Sequence, residues 1–176
     1  HPTQRFIDTT YEDFMESAKA TADVWRQTPN HGVGRWVLDA MKAVRQSVDK
    51  NTNLGIVLLL APLARAAIAQ KEPSSNSFLE SLKHVLRSFH RQDAMEIYEA
   101  IRIAKPGGLN ASTQYDVHNA APPSLMDAMQ FAASRDSIAL QYVTDYADVF
   151  RMADRLQQLT DTKDYYCGIR GLKPRD

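Results

Sequence analysis

Cysteine is nearly missing: Cys167 stands alone in 176 residues. No disulfide can close within the chain, and a reducing compartment, the cytoplasm, is the expected setting. Neither sign of charge is in excess, since Lys plus Arg and Asp plus Glu each number 21 and the formal net charge is zero. Without a global basic field, neither nucleic acid nor an anionic membrane is an expected partner, and any polyanion must be gripped locally. Long hydrophobic runs are missing as well. The longest, residues 54–69, falls short of the ~20 that span a bilayer and is interrupted by Pro62 and Arg65, so it reads as a core helix. The start carries no secretory pattern, and the first residue is His1. There is no zinc-ligand spacing, Walker loop, dinucleotide fingerprint or Gly-x-Ser-x-Gly elbow. His84 and His90 are six apart, off one helical face, and do not read as a metal pair. No run alternates with period two, so strands are not needed.

What is present is helical periodicity in a chain that is 44% hydrophobic and 24% charged, the profile of a globular domain. The pattern predicts an all-α bundle of about seven helices forming one domain over 1–159, followed by a polar tail over 160–176. Capping-box spacing marks starts at Thr9 with Glu12, Ser77 with Glu80, and Asp93 with Glu96. Phe14, Ala18, Ala22 and Trp25 stripe the first helix; Val37, Met41, Val44 and Val48 stripe the second. The third, from about Leu54 to Ala69, is apolar nearly all round and is expected at the centre of the bundle. Further stripes follow at Phe78 to Phe89 and Ala94 to Ile101, the latter halting at Pro106-Gly107-Gly108. After a loop, Pro122-Pro123-Ser124 opens a sixth helix, and Ile138 to Phe150 mark a long seventh reaching about Leu159.

Chemistry has two candidate places. The first is Asn51-Thr52-Asn53, a polar knot running straight into the most apolar helix. A helix N-terminus carries unpaired N–H groups and about half a positive charge, so it can hold a phosphate without surplus lysine. Asn51, Thr52 and Asn53 would add donors, and Gly55 would let an anion approach the backbone. One of the three could equally be a plain helix cap, although capping requires only one such residue. The second place is the loop KPGGLNASTQYDVHNAAPP, where Asp116 and His118 lie two apart among paired glycines and prolines. Turn formation explains an Asp there just as well. Asp8, ahead of the first helix, and Arg135-Asp136, at a helix junction, are further candidates, with Asp136 also a possible cap.

Three stretches carry a resemblance: DTTYEDFMESAKA (8–20), NTNLGIVLLLAPLA (51–64), and PGGLNASTQYDV (106–117) with RDSIALQYVTDYADVF (135–150). In these the chain resembles the triphosphoribosyl-dephospho-CoA synthase family, over most of its length up to about Phe150. The resemblance implies an all-helical enzyme that moves the ribose triphosphate of ATP to the 2′-hydroxyl of dephospho-CoA and releases adenine, with Mg²⁺ expected alongside ATP. It places Asp8 on an acidic position, here given to the metal, and Asn51, Thr52 and Gly55 on an Asn-Thr-His-Lys-Gly motif. It puts Asp116 near the acidic residue of a glycine-rich loop. On this reading Asp116 and His118 are catalytic, while Asn51, Thr52, Asn53, Gly55, Gly107, Gly108 and Arg135 bind substrate. Where the motif has His and Lys, this chain has Asn53 and Leu54, which removes a proton carrier and a fixed phosphate cation. A Lys-Pro-Gly segment is expected immediately before His1, and relatives continue beyond the C-terminal residues, so the chain is expected to be a piece of a longer protein. The alternative is a helical nucleotide-binding or assembly module that has lost the chemistry.

Overall fold

The computed structural model describes residues 9–70, 75–107 and 114–161. Asp8, Gly108 and most of the expected tail lie outside the described residues. The chain divides into two compact units between Asp145 and Tyr146. The first holds α1 (Tyr11–Gln27), α2 (Val33–Val48), α3 (Leu54–Ala69), α4 (Ser75–Arg87), α5 (Arg91–Ala104), α6 (Leu125–Ala132) and α7 (Ser137–Val143); the second holds α8 (Ala147–Asp161). The architecture is all-α, as the periodicity predicts, with no strand among the described residues. The expected long seventh helix is two helices. Asp145 and Tyr146 have φ of 51° and 63°, a left-handed backbone through which a right-handed helix cannot continue. No helix of the described residues is long and apolar enough to cross a membrane.

The most enclosed helix is α2. Its Trp36, Val37, Met41 and Val44 are almost wholly buried, against α1 on one side and α5 on the other. The expectation of a central α3 holds on one flank. Val57, Leu58, Ala61 and Ala66 are buried, but Ile56, Leu60 and Ile68 are about half exposed, at 53%, 47% and 57%. Uniform apolarity makes a helix burial-tolerant on any side without fixing how many neighbours it has. On α1 the contact face is also displaced from the apolar stripe. Ser17 and Thr21 are buried while Phe14 is partly exposed. Their hydroxyls donate back to the carbonyls of Asp13 and Ser17, at 2.6 and 2.9 Å, which hides their polarity and keeps that face narrow. The cap of α1 also sits one residue later than the expected Thr9: Thr10 Oγ1 accepts from the Asp13 amide, and Asp13 Oδ2 accepts from the Thr10 amide.

Pro62 lies inside α3. Having no N–H, it cannot donate to the carbonyl of Leu58 one turn earlier. That carbonyl instead accepts from the buried hydroxyl of Tyr142 on α7, at 2.8 Å. A proline gap in one helix is thus what a second helix docks into. Replacing Tyr142 by phenylalanine leaves the Leu58 oxygen orphaned and is expected to cost about 1–2 kcal/mol of unfolding free energy, read from denaturant melts. Unchanged stability would mean that the hydroxyl does not support the α3–α7 contact.

Candidate active site

Between α3, α5, α6, α7 and the loop before α6 lies a cavity of about 500 Å³, within the range of small-molecule sites. Its walls are hydrocarbon: Leu54 and Leu58 from α3, Ile97 and Ile101 from α5, Leu125 and Met129 from α6. Its polar side chains include Asn51, Asp116, His118, Arg135 and Asp136, with the tyrosines Tyr98 and Tyr115. The Tyr115 ring meets Phe131 edge-on, with centroids 5.6 Å apart, and the Arg135 guanidinium lies 4.7 Å over the Phe131 ring. Gly55 also borders the cavity, and a Cβ there would approach Ile138 Cδ1 to 3.0 Å, a tight contact with the flexible end of that side chain.

Two side chains of α5 hold the loop that carries Asp116. Tyr98 donates its hydroxyl to the Tyr115 carbonyl at 3.0 Å, and Arg102 donates to the Val117 carbonyl at 2.8 Å. Burial above all, with Tyr115 and Asp116 adding to it, pushes the Tyr98 phenol up to about 12, so it remains a donor at every physiological pH. Tyr115 has φ 56°, a conformation that a bulky residue adopts only when its surroundings impose it. Asp116 follows directly, and its Oδ1 accepts from the His118 amide at 2.8 Å. The turn-forming role open to Asp116 in the sequence is therefore real, and it coexists with a place on the cavity wall.

The polar knot divides its labour. Asn51 borders the cavity and its Oδ1 accepts from the Leu54 amide at 3.3 Å, capping α3. Thr52 and Asn53 turn toward α1. The Thr52 and Ser17 hydroxyls share a hydrogen bond of 2.5 Å, and Asn53 Nδ2 donates to Thr21 Oγ1 at 3.1 Å. Three polar residues stand before an apolar helix because one serves its open end and two stitch it to the buried hydroxyl face of α1.

Of the residues singled out from sequence, Asn51, Gly55, Gly107, Asp116, His118 and Arg135 border this one cavity; Thr52 and Asn53 do not, and Asp8 and Gly108 lie outside the described residues. A family model for ATP:dephospho-CoA triphosphoribosyl transferase matches residues 1–167. The chain belongs to this family. No curated protein matches it, and neither does any solved structure.

For a triphosphoribosyl transferase of this family the cavity supplies a long apolar wall with carboxylates at its edge. Asp136 both borders it and caps α7, its Oδ1 accepting from the Ile138 and Ala139 amides at 2.7 and 3.1 Å. Among the described residues no group of three or more His, Cys, Asp or Glu could hold a metal by itself. Mg²⁺ takes oxygen ligands and usually reaches a protein through one or two carboxylates plus substrate phosphates; the expected metal residue, Asp8, lies outside the described residues. Sequence reasoning did not single out Tyr98, Tyr115 or Phe131 for the site. Tyr98 sits at a core position of an apolar stripe, and only the loop folding back onto α5 gives it a second role.

Proposed function

We propose that this chain transfers the 5′-triphosphoribosyl group of ATP to a hydroxyl of a dephospho-CoA-like acceptor, releasing adenine. What supports the reading is that segments 61 to 84 residues apart in a member of this family, Asn51 and Gly55 on one side and Asp116, His118 and Arg135 on the other, border one largely apolar cavity. In the reaction the acceptor oxygen bonds to ribose C1′ while the C1′–N9 bond breaks and its electron pair leaves with adenine. Positive charge grows on the sugar. The Asp116 carboxylate faces that charge and takes the proton of the acceptor hydroxyl, and His118 on the same loop returns a proton to the departing adenine. The hydrocarbon wall excludes water, which would otherwise compete as acceptor, and Phe131 with Tyr115 offers an aromatic surface for the base. Arg135, 4.7 Å over the Phe131 ring, closes that aromatic surface. Mg²⁺, when bound, would neutralise charge on the triphosphate, with Asp8 as the carboxylate toward it.

The test is chromatography of incubations of the full chain with ATP, Mg²⁺ and dephospho-CoA. Adenine is expected only when both substrates are present, in step with a dephospho-CoA product heavier by the triphosphoribosyl group. A folded protein that releases no adenine and binds neither substrate would contradict the reading.

A further inference from the structure

Next to the main cavity is a second of about 330 Å³, bordered by Thr9, Lys50, Asn51, Lys105 and Gly107. Asn51 and Gly107 border both, so the two spaces adjoin there. Their chemistry differs. Among its described lining residues the main cavity is largely apolar, with two carboxylates, Asp116 and Asp136, and one Arg or Lys, Arg135, which lies over Phe131. Among the described residues that border it, the annex has two lysines and no carboxylate. A ligand with an aromatic end and a polyanionic end can satisfy both spaces in one orientation only, because reversing it would set the polyanion against Asp116 and Asp136.

One of the two annex lysines is anchored. Lys50 Nζ is 2.8 Å from Asp13 Oδ2, a carboxylate already anchored by the Thr10 amide at 2.8 Å. This bond to Lys50 is the foremost cause holding the Asp13 carboxyl below its ordinary range. Lys105 ends α5 in a left-handed conformation, φ 46°, and makes no ion pair among the described residues. Among the described residues, a Cβ on Gly107 would meet nothing within 4 Å. The start of α3 directly follows Asn51, adding the positive end of a helix dipole to the same side.

We propose that the annex between Lys50 and Lys105 binds the polyphosphate of a nucleoside triphosphate, with Lys105 its main contact, so that the base and ribose lie in the main cavity. The assignment rests on the nucleotide reading above and specifies how the nucleotide lies. It is tested by calorimetric titration of the full chain with two separate probes, inorganic tripolyphosphate and adenosine. The wild type is expected to bind both. Lys105→Glu, a substitution at an exposed position, should lower tripolyphosphate affinity by at least about tenfold and leave adenosine affinity within about twofold. Lys105→Arg should restore most of the tripolyphosphate affinity. A wild type that binds no tripolyphosphate, or a Lys105→Glu variant that binds it as the wild type does, would overturn the proposal. Adenine release with an unaltered KM for ATP in Lys105→Glu would overturn it too while leaving the transferase reading standing. Tripolyphosphate binding that depends on Lys105 in a protein releasing no adenine would support the annex and count against the transferase.

Discussion

Asp116→Asn is expected to lower the rate of adenine release by about 10²–10⁴-fold, the usual worth of a general base or charge-stabilising carboxylate, with little change in ATP affinity. The substitution is chosen for what it keeps. Asparagine retains an Oδ1, so the bond to the His118 amide, 2.8 Å long here, can persist, and the bonds from Tyr98 and Arg102 go to backbone carbonyls that the change does not touch. The loop is therefore expected to keep its course while losing one negative charge and one proton acceptor. Steady-state kinetics separates the outcomes. A fall in kcat at constant KM places the carboxylate in the transition state, whereas a rise in KM alone would make Asp116 a binding residue and move the chemistry elsewhere.

Gly34→Ala is expected to destabilise the fold by about 3 kcal/mol, the upper part of the overpacking range, and to lower the melting temperature by on the order of 10 °C. A Cβ at residue 34 would lie 2.6 Å from Asp93 Cα and 2.9 Å from the Asp93 carbonyl oxygen. Both are backbone atoms, so no side chain can swing aside; α2 and α5 must separate. The same separation would loosen the contact in which the Gly34 amide, one of the unpaired donors at the start of α2, donates to Asp93 Oδ1 at 3.1 Å. Because α5 carries Ile97, Tyr98 and Ile101 to the cavity, ATP binding should weaken along with stability. Differential scanning calorimetry showing an unchanged melting temperature would mean that α2 and α5 are not so closely apposed.

The Gly34 contact illustrates what a single sequence does and does not disclose. Helices are legible because their signals are local: the stripe of Val37, Met41 and Val44 lies within three turns, and all three are buried. That the Asn51 and Asp116 segments meet is expected only on the general ground that loops at one end of a bundle converge, since nothing in either segment names the other. Which face of α3 meets which neighbour was not. It depends on a proline gap at residue 62 being filled by a tyrosine 80 positions later, at residue 142, through the Leu58 carbonyl. The polar knot was half legible. Its residues suit both capping and anion binding, and only the position of Ser17 and Thr21 on α1 draws Thr52 and Asn53 away from the cavity. Lys50 and Lys105 escaped notice because a lysine at a helix end is ordinary until its neighbours in space are known.

The central claim is that the two loop segments form one substrate site, and amide chemical-shift mapping of the full chain during ATP titration tests it most directly. The amides of Asn51, Gly55, Gly107, Asp116, His118 and Arg135 are expected to shift together along one saturation curve. Saturable shifts confined to the far ends of α1 and α2, with these six amides unmoved, would contradict it.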